Sequence, residues 1–260
     1  MMQIASQPLL AASGQALLSL PELELRGGQC WALLGPNGSG KSTFLRFCAG
    51  REAGQAVAGR RWQGQPLPLW SDAGWARTRS FLPQQHHLTA ALSVQALVRM
   101  AAYPWGGGHG RLEQELAAVV ATWDLQHLLT RRWHELSGGE QQRVQLARSA
   151  LQLALAEPGQ ARLWLLDEPL AALDWPHQQA ALSACRQAAD DGALVIASVH
   201  DMNAALAMAT HVLVLGQGRV LMHGELEREQ VREALEAAFS ARLGWASHPQ
   251  DGRPWLVPLR

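Results

Sequence analysis

Residues 35 to 42 read Gly-Pro-Asn-Gly-Ser-Gly-Lys-Ser. Gly35 and Gly40, the latter followed at once by Lys41 and Ser42, complete the G-x-x-x-x-G-K-[ST] pattern of a phosphate-binding loop. The flanks agree with it. The apolar run Cys30-Trp-Ala-Leu-Leu34 predicts a buried strand leading in. Residues 42–49 predict a helix closed by Gly50. A strand, a Gly-rich turn and a helix offer phosphates three attractions: converging backbone N–H groups, the partial positive charge of the helix N-terminus, and the full charge of Lys41. The Ser42 hydroxyl adds an oxygen for Mg²⁺. Gly35, Pro36, Asn37, Gly38, Ser39, Gly40, Lys41, Ser42 and Thr43 are therefore the candidate nucleotide-binding set.

Length and charge narrow the class further. At 260 residues the chain buries a substantial core as one large domain or two small ones. Its 22 basic and 22 acidic residues balance, which argues against a nucleic-acid partner. Cys30, Cys48 and Cys185 show no C-x-x-C spacing and read as small core residues in a reducing compartment. No apolar run reaches the ~18 residues that would cross a bilayer. No Lys or Arg precedes Arg26, so the basic start of a signal peptide is missing. A cytoplasmic chain is expected.

Residues 1–34 alternate short apolar stretches with turn residues such as Ser13-Gly14 and Arg26-Gly-Gly28, a pattern of strands and tight turns. Residues 51–80 read as short strands and loops, with Gln65-Pro-Leu-Pro68 resisting regular structure. Ser93 predicts the cap of a helix over 94–100, and 103–110, with three consecutive glycines, a flexible loop. Leu112, Leu116, Val119, Val120, Trp123 and Leu128 follow helical spacing across 111–129. Another helix opens at Leu136-Ser-Gly-Gly-Glu-Gln-Gln-Arg143 and reaches about residue 156. Leu163-Trp-Leu-Leu166 reads as a buried parallel strand ending in Asp167-Glu168. A helix near 176–189, a second buried strand over 193–199 ending at His200-Asp201, and a short helix to Ala209 follow. The strand 211–215 turns back through Gly216-Gln-Gly218 into 219–222 as a hairpin. Val231, Leu235, Phe239 and Leu243 mark a last amphipathic helix. Strands alternating with helices around an inserted helical block predict an α/β core.

Two segments add chemistry to the loop. Ser137-x-x-Glu140 is a capping box, and a capped helix N-terminus is itself an anion site. Asp167 and Glu168 are adjacent on a strand, so their side chains point different ways and suit different tasks. Taken with the loop at 35–42, Leu136-Ser137-Gly138-Gly139-Glu140-Gln141 resembles the ATP-binding cassette (ABC) ATPases, over nearly the whole chain and in the family's order. The resemblance implies a P-loop α/β core with a small antiparallel β-subdomain and an inserted helical subdomain, divided as 1–85, 86–150 and 151–260 of a single domain.

The same resemblance assigns roles. Ser137, Gly138 and Gly139 would meet the γ-phosphate held by another copy's loop, with Glu140 beside them in the same nucleotide-binding set. Asp167 would hold Mg²⁺ through water, and Glu168 would act as general base on the attacking water. His200 matches the switch histidine against the γ-phosphate. Gln84 matches the glutamine that reaches metal and attacking water, with Gln85 as the weaker register. Asp174, in Ala172-Leu-Asp174, would lie at the dimer interface. The paired His86 and His87 lack a third metal ligand nearby and read as surface residues. ATP and Mg²⁺ are the implied cofactors. The implied partners are a second copy of the chain, transmembrane permease subunits and, indirectly, a periplasmic solute-binding protein, at the cytoplasmic face of the inner membrane.

Two departures stand out. Leu170 occupies a position where Thr or Ser usually follows Asp-Glu-Pro. No aromatic residue or histidine occurs before Trp31, so the ring that commonly stacks on adenine, placed near Ser13-Gly14, is missing. Leu82-Pro-Gln-Gln85, the long Leu136–Arg148 motif and His200-Asp-Met-Asn203 resemble most closely the ATPases of importers for haem, iron–siderophore complexes and cobalamin. An exporter ATPase and a non-transport ABC protein stay open as alternatives. Against the latter stand the single cassette, the lack of a long coiled coil between Gln84 and Ser137, and the lack of a basic tail.

Overall fold

The computed structural model describes residues 1–11, 13–50, 59–84, 92–247, 252 and 254–259. The expectations for Gln85, His86 and His87 fall outside them. The chain runs β1 (Met2–Ile4), β2 (Gln7–Leu10), β3 (Ala16–Leu20), β4 (Leu23–Leu25), β5 (Cys30–Leu34), α1 (Lys41–Ala49), β6 (Arg60–Trp62), β7 (Gln65–Pro66), α2 (Asp72–Thr78) and β8 (Arg79–Leu82). Helices α3 (Val94–Arg99), α4 (Leu112–Thr122) and α5 (Gly138–Ala154) follow. Then come β9 (Leu163–Asp167), α6 (Trp175–Asp190), β10 (Leu194–Ser198), α7 (Met202–Met208), β11 (His211–Gly216), β12 (Arg219–Glu225), α8 (Arg228–Phe239), β13 (Leu243–Ser247) and β14 (Pro254–Pro258).

The main sheet has the order β2-β3-β12-β11-β5-β10-β9-β8. Its centre is parallel, with β5 between β10 and β11 and β9 between β10 and β8. A four-stranded sheet, β4-β1-β6-β7, is antiparallel throughout. Strand β5 shows why its run is apolar at every position. Cys30, Ala32 and Leu34 face one core, with α3–α6 residues, while Trp31 and Leu33 face a second core, with α1 and the small sheet. Alternate side chains enter opposite layers, and both layers are dry. The loop at 35–40 thus leaves the carboxyl end of a strand clamped on both faces, which is where open α/β sheets place their ligands.

Several boundaries differ from the sequence reading. Residues 72–78 form a helix, not a loop, because Ser71 caps it by accepting from Gly74 N–H. Gln65–Pro66 pairs with β6, and Leu67–Leu69 coils as a 3₁₀ turn. Residues 100–105 form a 3₁₀ segment that ends at Gly106, with φ of 75°. The helix expected over 111–129 stops at Thr122, since Asp124 takes a left-handed φ of 50°, and the chain resumes as a short 3₁₀ turn over Gln126–Leu128. Likewise α5 ends at Ala154. Helix α8 ends at Ser240, with φ of 52°, so Leu243 belongs to a C-terminal hairpin instead of the helix.

Candidate nucleotide site

The loop between β5 and α1 is held open by glycine. Gly35, Gly38 and Gly40 have φ of 146°, 78° and 102°, conformations that cost an L-residue energy. At Gly35 space adds a second bar, because a Cβ would lie 2.4 Å from the Leu215 carbonyl oxygen. Gly40 gives α1 no side-chain cap, and no acidic residue stands in its first turn. The helix N-terminus is thereby left to an anion. Lys41 is buried and donates to the Gly35 and Pro36 carbonyls at 2.7 and 3.0 Å, arching over the loop. Burial lowers its pKa, and the charges of Glu168 and Asp167 oppose that shift.

The carboxylates at the end of β9 part as expected. Asp167 is buried at 3% exposure and accepts from the Ser198 hydroxyl at 2.7 Å. The same Ser198 oxygen accepts from the Glu168 N–H at 2.9 Å. Ser198 stands beside Asp167 in the parallel register of β10 and β9. Glu168 takes a left-handed φ of 55°, which throws its side chain away from Asp167. Its Oε1 receives Gln84 Nε2 at 2.8 Å and lies 2.7 Å from His200 Nε2. Three segments far apart in the chain thus meet at one carboxylate oxygen.

A cavity of about 390 Å³ gathers Asn37, Gly38, Gly40, Lys41, Ser42 and Thr43 with Gln84, Glu168, His200 and Leu17. Gly35, Pro36, Ser39 and Asp167 support it without lining it. Ser137, Gly138, Gly139, Glu140 and Asp174 do not line it either. Where the missing ring was expected, the cavity is lined by Leu17 of β3, beyond Ser13-Gly14; among the described lining residues His200 alone carries a ring.

The start of α5 is a complete capping box. Ser137 Oγ accepts from Glu140 N–H at 3.3 Å, and Glu140 Oε2 accepts from Ser137 N–H at 2.7 Å. That backbone bond holds the Glu140 carboxyl below the usual range, and Arg131 at 3.3 Å adds to it. A Cβ on Gly139 would fall 2.8 Å from the Ala172 carbonyl oxygen, so the helix start and the segment before Asp174 are in contact. Gln142 Nε2 donates to the Glu168 and Pro169 carbonyls at 3.3 and 3.0 Å, tying α5 to the carboxylate loop. Asp174 caps α6 by accepting from His177 N–H at 3.2 Å and also binds its ring; that ring lowers the Asp174 pKa.

Ser198 and Gln142 escaped the sequence reading. Ser198 carried a faint signal, a hydroxyl at the end of the apolar strand before His200. Gln142 is one of several polar residues on its helix, and nothing in its spacing singles it out.

A Gly-rich loop between a central parallel strand and an uncapped helix, facing acidic strand ends, defines a P-loop nucleotide-binding protein. The ABC transporter family model matches residues 18–171. The hemin import ATP-binding protein HmuV of Pseudomonas entomophila is 38% identical over 248 residues, covering 95% of this chain and 96% of the relative. A solved ATP-binding subunit of an ABC transporter superposes with a TM-score of 0.76 at 22% identity, over 92% of this chain and 95% of the other. The dimeric bacterial cassette MJ0796 gives 0.71 at 23% identity, over 87% and 99%. This chain belongs to the ABC transporter family, as its ATP-binding, ATP-hydrolysing component. Among the described residues no helix is long and apolar enough to cross a membrane.

Proposed function

We propose that this chain powers import of hemin through separate membrane-spanning permease subunits, from the cytoplasmic face, with a periplasmic solute-binding protein delivering the solute. The relative named above supports the solute, and the meeting of Gln84 and His200 on Glu168 beside the loop carries the hydrolytic assignment. Within the single domain, residues 1–85 would form the β-subdomain and the P-loop part of the core, 86–150 the helical subdomain, and 151–260 the rest of the core with the C-terminal helix. The loop amides, Lys41 and the N-terminus of α1 bind the phosphates. Glu168 takes a proton from the attacking water as general base. Its Oε1 is shared with Gln84 and His200, so arrival of the γ-phosphate competes for those two donors and turns the carboxylate toward water. Ser42, Asp167 and Gln84 offer hydroxyl, carboxylate and amide oxygens, a hard donor set that fits Mg²⁺. The metal would neutralise phosphate charge there.

Family cassettes dimerise and work with permease subunits. Ser137, Gly139 and Asp174 stand outside the cavity of their own chain, which fits a site completed by a second copy. The reading is tested by co-purifying the chain with its permease in lipid vesicles and measuring ATPase stimulation by hemin, a ferric siderophore and cobalamin. Stimulation by hemin is expected. A response confined to another solute would overturn the cargo, and turnover without any permease requirement for transport would overturn the coupling.

A further inference from the structure

The side chain of Asn203 hydrogen-bonds the C-terminal hairpin of β13 and β14 to the segment that follows His200. Asn203 Nδ2 donates to the Leu256 carbonyl at 3.1 Å, and Asn203 Oδ1 accepts from the Leu256 N–H at 2.8 Å. The amide thus pairs with Leu256 as a neighbouring strand would. The hairpin register explains why both groups are open to it. Leu259 N–H donates to Arg242 O, Leu243 faces Pro258 and Trp245 faces Leu256. Hydrogen-bonded pairs alternate along an antiparallel ladder, so Leu256 turns its N–H and C=O away from β13. Its side chain is buried in the main core, anchoring the clamp.

Helix α7 spans seven residues, too short to hold itself. Asp201 caps it by accepting from Asn203 and Ala204 N–H at 2.8 and 3.1 Å, and Ala205 and Met208 are buried beneath it. His200 stands immediately before that cap, its side chain 51% exposed, against Glu168. Little packing therefore fixes the ring, and the two ends of its loop do so instead: β10 on one side, α7 on the other.

We propose that Asn203 is a positioning residue: by clamping the outer edge of β14 it fixes α7 and so holds His200 in place between Glu168 and the phosphate loop, making the C-terminal hairpin part of the hydrolytic apparatus. The proposal rests on His200 acting in hydrolysis. Its test is steady-state ATPase kinetics of the full chain carrying Asn203→Ala, His200→Ala or both. Asn203→Ala is expected to lower kcat about ten- to a hundredfold, the order of effect of a small misplacement, with KM for ATP within about twofold because the phosphate loop is untouched. The double variant should fall no further than His200→Ala alone, since one residue acts through the other. Asn203→Asp keeps the size and the acceptor but sets an oxygen against the Leu256 carbonyl, so it should show the same loss. A wild-type kcat in either Asn203 variant, a parallel rise in KM, or losses that multiply in the double variant overturn the clamp. A His200→Ala chain with wild-type turnover overturns the role of His200 itself, and the proposal with it.

Discussion

Glu168 is where Gln84 and His200 meet. If it is the proposed base, replacing it with Gln removes that group while sparing the loop, so ATP binding should persist and turnover should fall by about 10²–10⁴-fold. ATP should then trap a dimer, read by light scattering; turnover near wild type would sink the assignment. Lys41→Ala should instead weaken nucleotide binding itself, by equilibrium titration. Ser198→Ala tests the support beneath the carboxylates. The variant leaves the Glu168 N–H and a buried Asp167 oxygen without their shared partner, a loss of about 1–3 kcal/mol. A lowered Tm together with lowered kcat is expected, and an unchanged Tm would show that the hydroxyl is replaceable. Leu17 decides a different matter. An aliphatic residue offers no stack to a base, so competition of GTP against labelled ATP should show weak discrimination. Leu17→Tyr should tighten ATP by at most about 1–2 kcal/mol, since the added ring must also be ordered.

Helix α5 and the segment before α6 act as one unit. Gly139 leaves no room for a methyl group beside the Ala172 carbonyl, and Ala172 already holds a left-handed φ of 60°. Gly139→Ala should therefore push that segment away and loosen the Gln142 bonds behind Glu168. Reduced kcat with nearly normal ATP affinity is expected, since the phosphate loop lies on another strand. By contrast, Ser137→Ala removes a cap worth about 1 kcal/mol and should register first as a lower Tm. The two variants separate crowding at the helix start from loss of its hydrogen bond.

Ser137→Arg would place bulk and charge where a partner's γ-phosphate is expected, and Lys41→Ala disables the loop in its own chain. A heterodimer of the two keeps one undamaged site, formed by the first chain's loop and the second chain's Ser137. Its ATP-driven closure and turnover should be partly restored relative to either homodimer. Full hydrolysis by an isolated monomer would refute the composite site.

The loop, the strand ahead of it, Ser137-Gly-Gly-Glu140 and Asp167-Glu168 were legible in the chain because their chemistry is local. Contiguous residues set the turn, the cap and the divergence of two carboxylates, and spacing alone reveals them. The continuous apolar runs at 30–34 and 163–166 and the helical spacing across 111–129 revealed the α/β class for the same reason. Folding settled everything that depends on which elements meet. Ser198 lies far from Asp167 in sequence and reaches it only through strand register; Gln142 finds the Glu168 carbonyl only because α5 packs behind β9. Leu17 faces the cavity because β3 enters the sheet beside β12, while Ser13-Gly14 lies in the turn before it. Asp124 and Ser240 broke two helices whose apolar spacing ran on, since a left-handed residue is a matter of tertiary fit, and neither is glycine. The hairpin at the C-terminus drew Leu243 out of a helical pattern into a strand, where pairing with Pro258 outweighed its spacing. Contacts between distant segments carry no periodic trace, so the sequence pointed to the candidate groups and the fold showed what holds them in place.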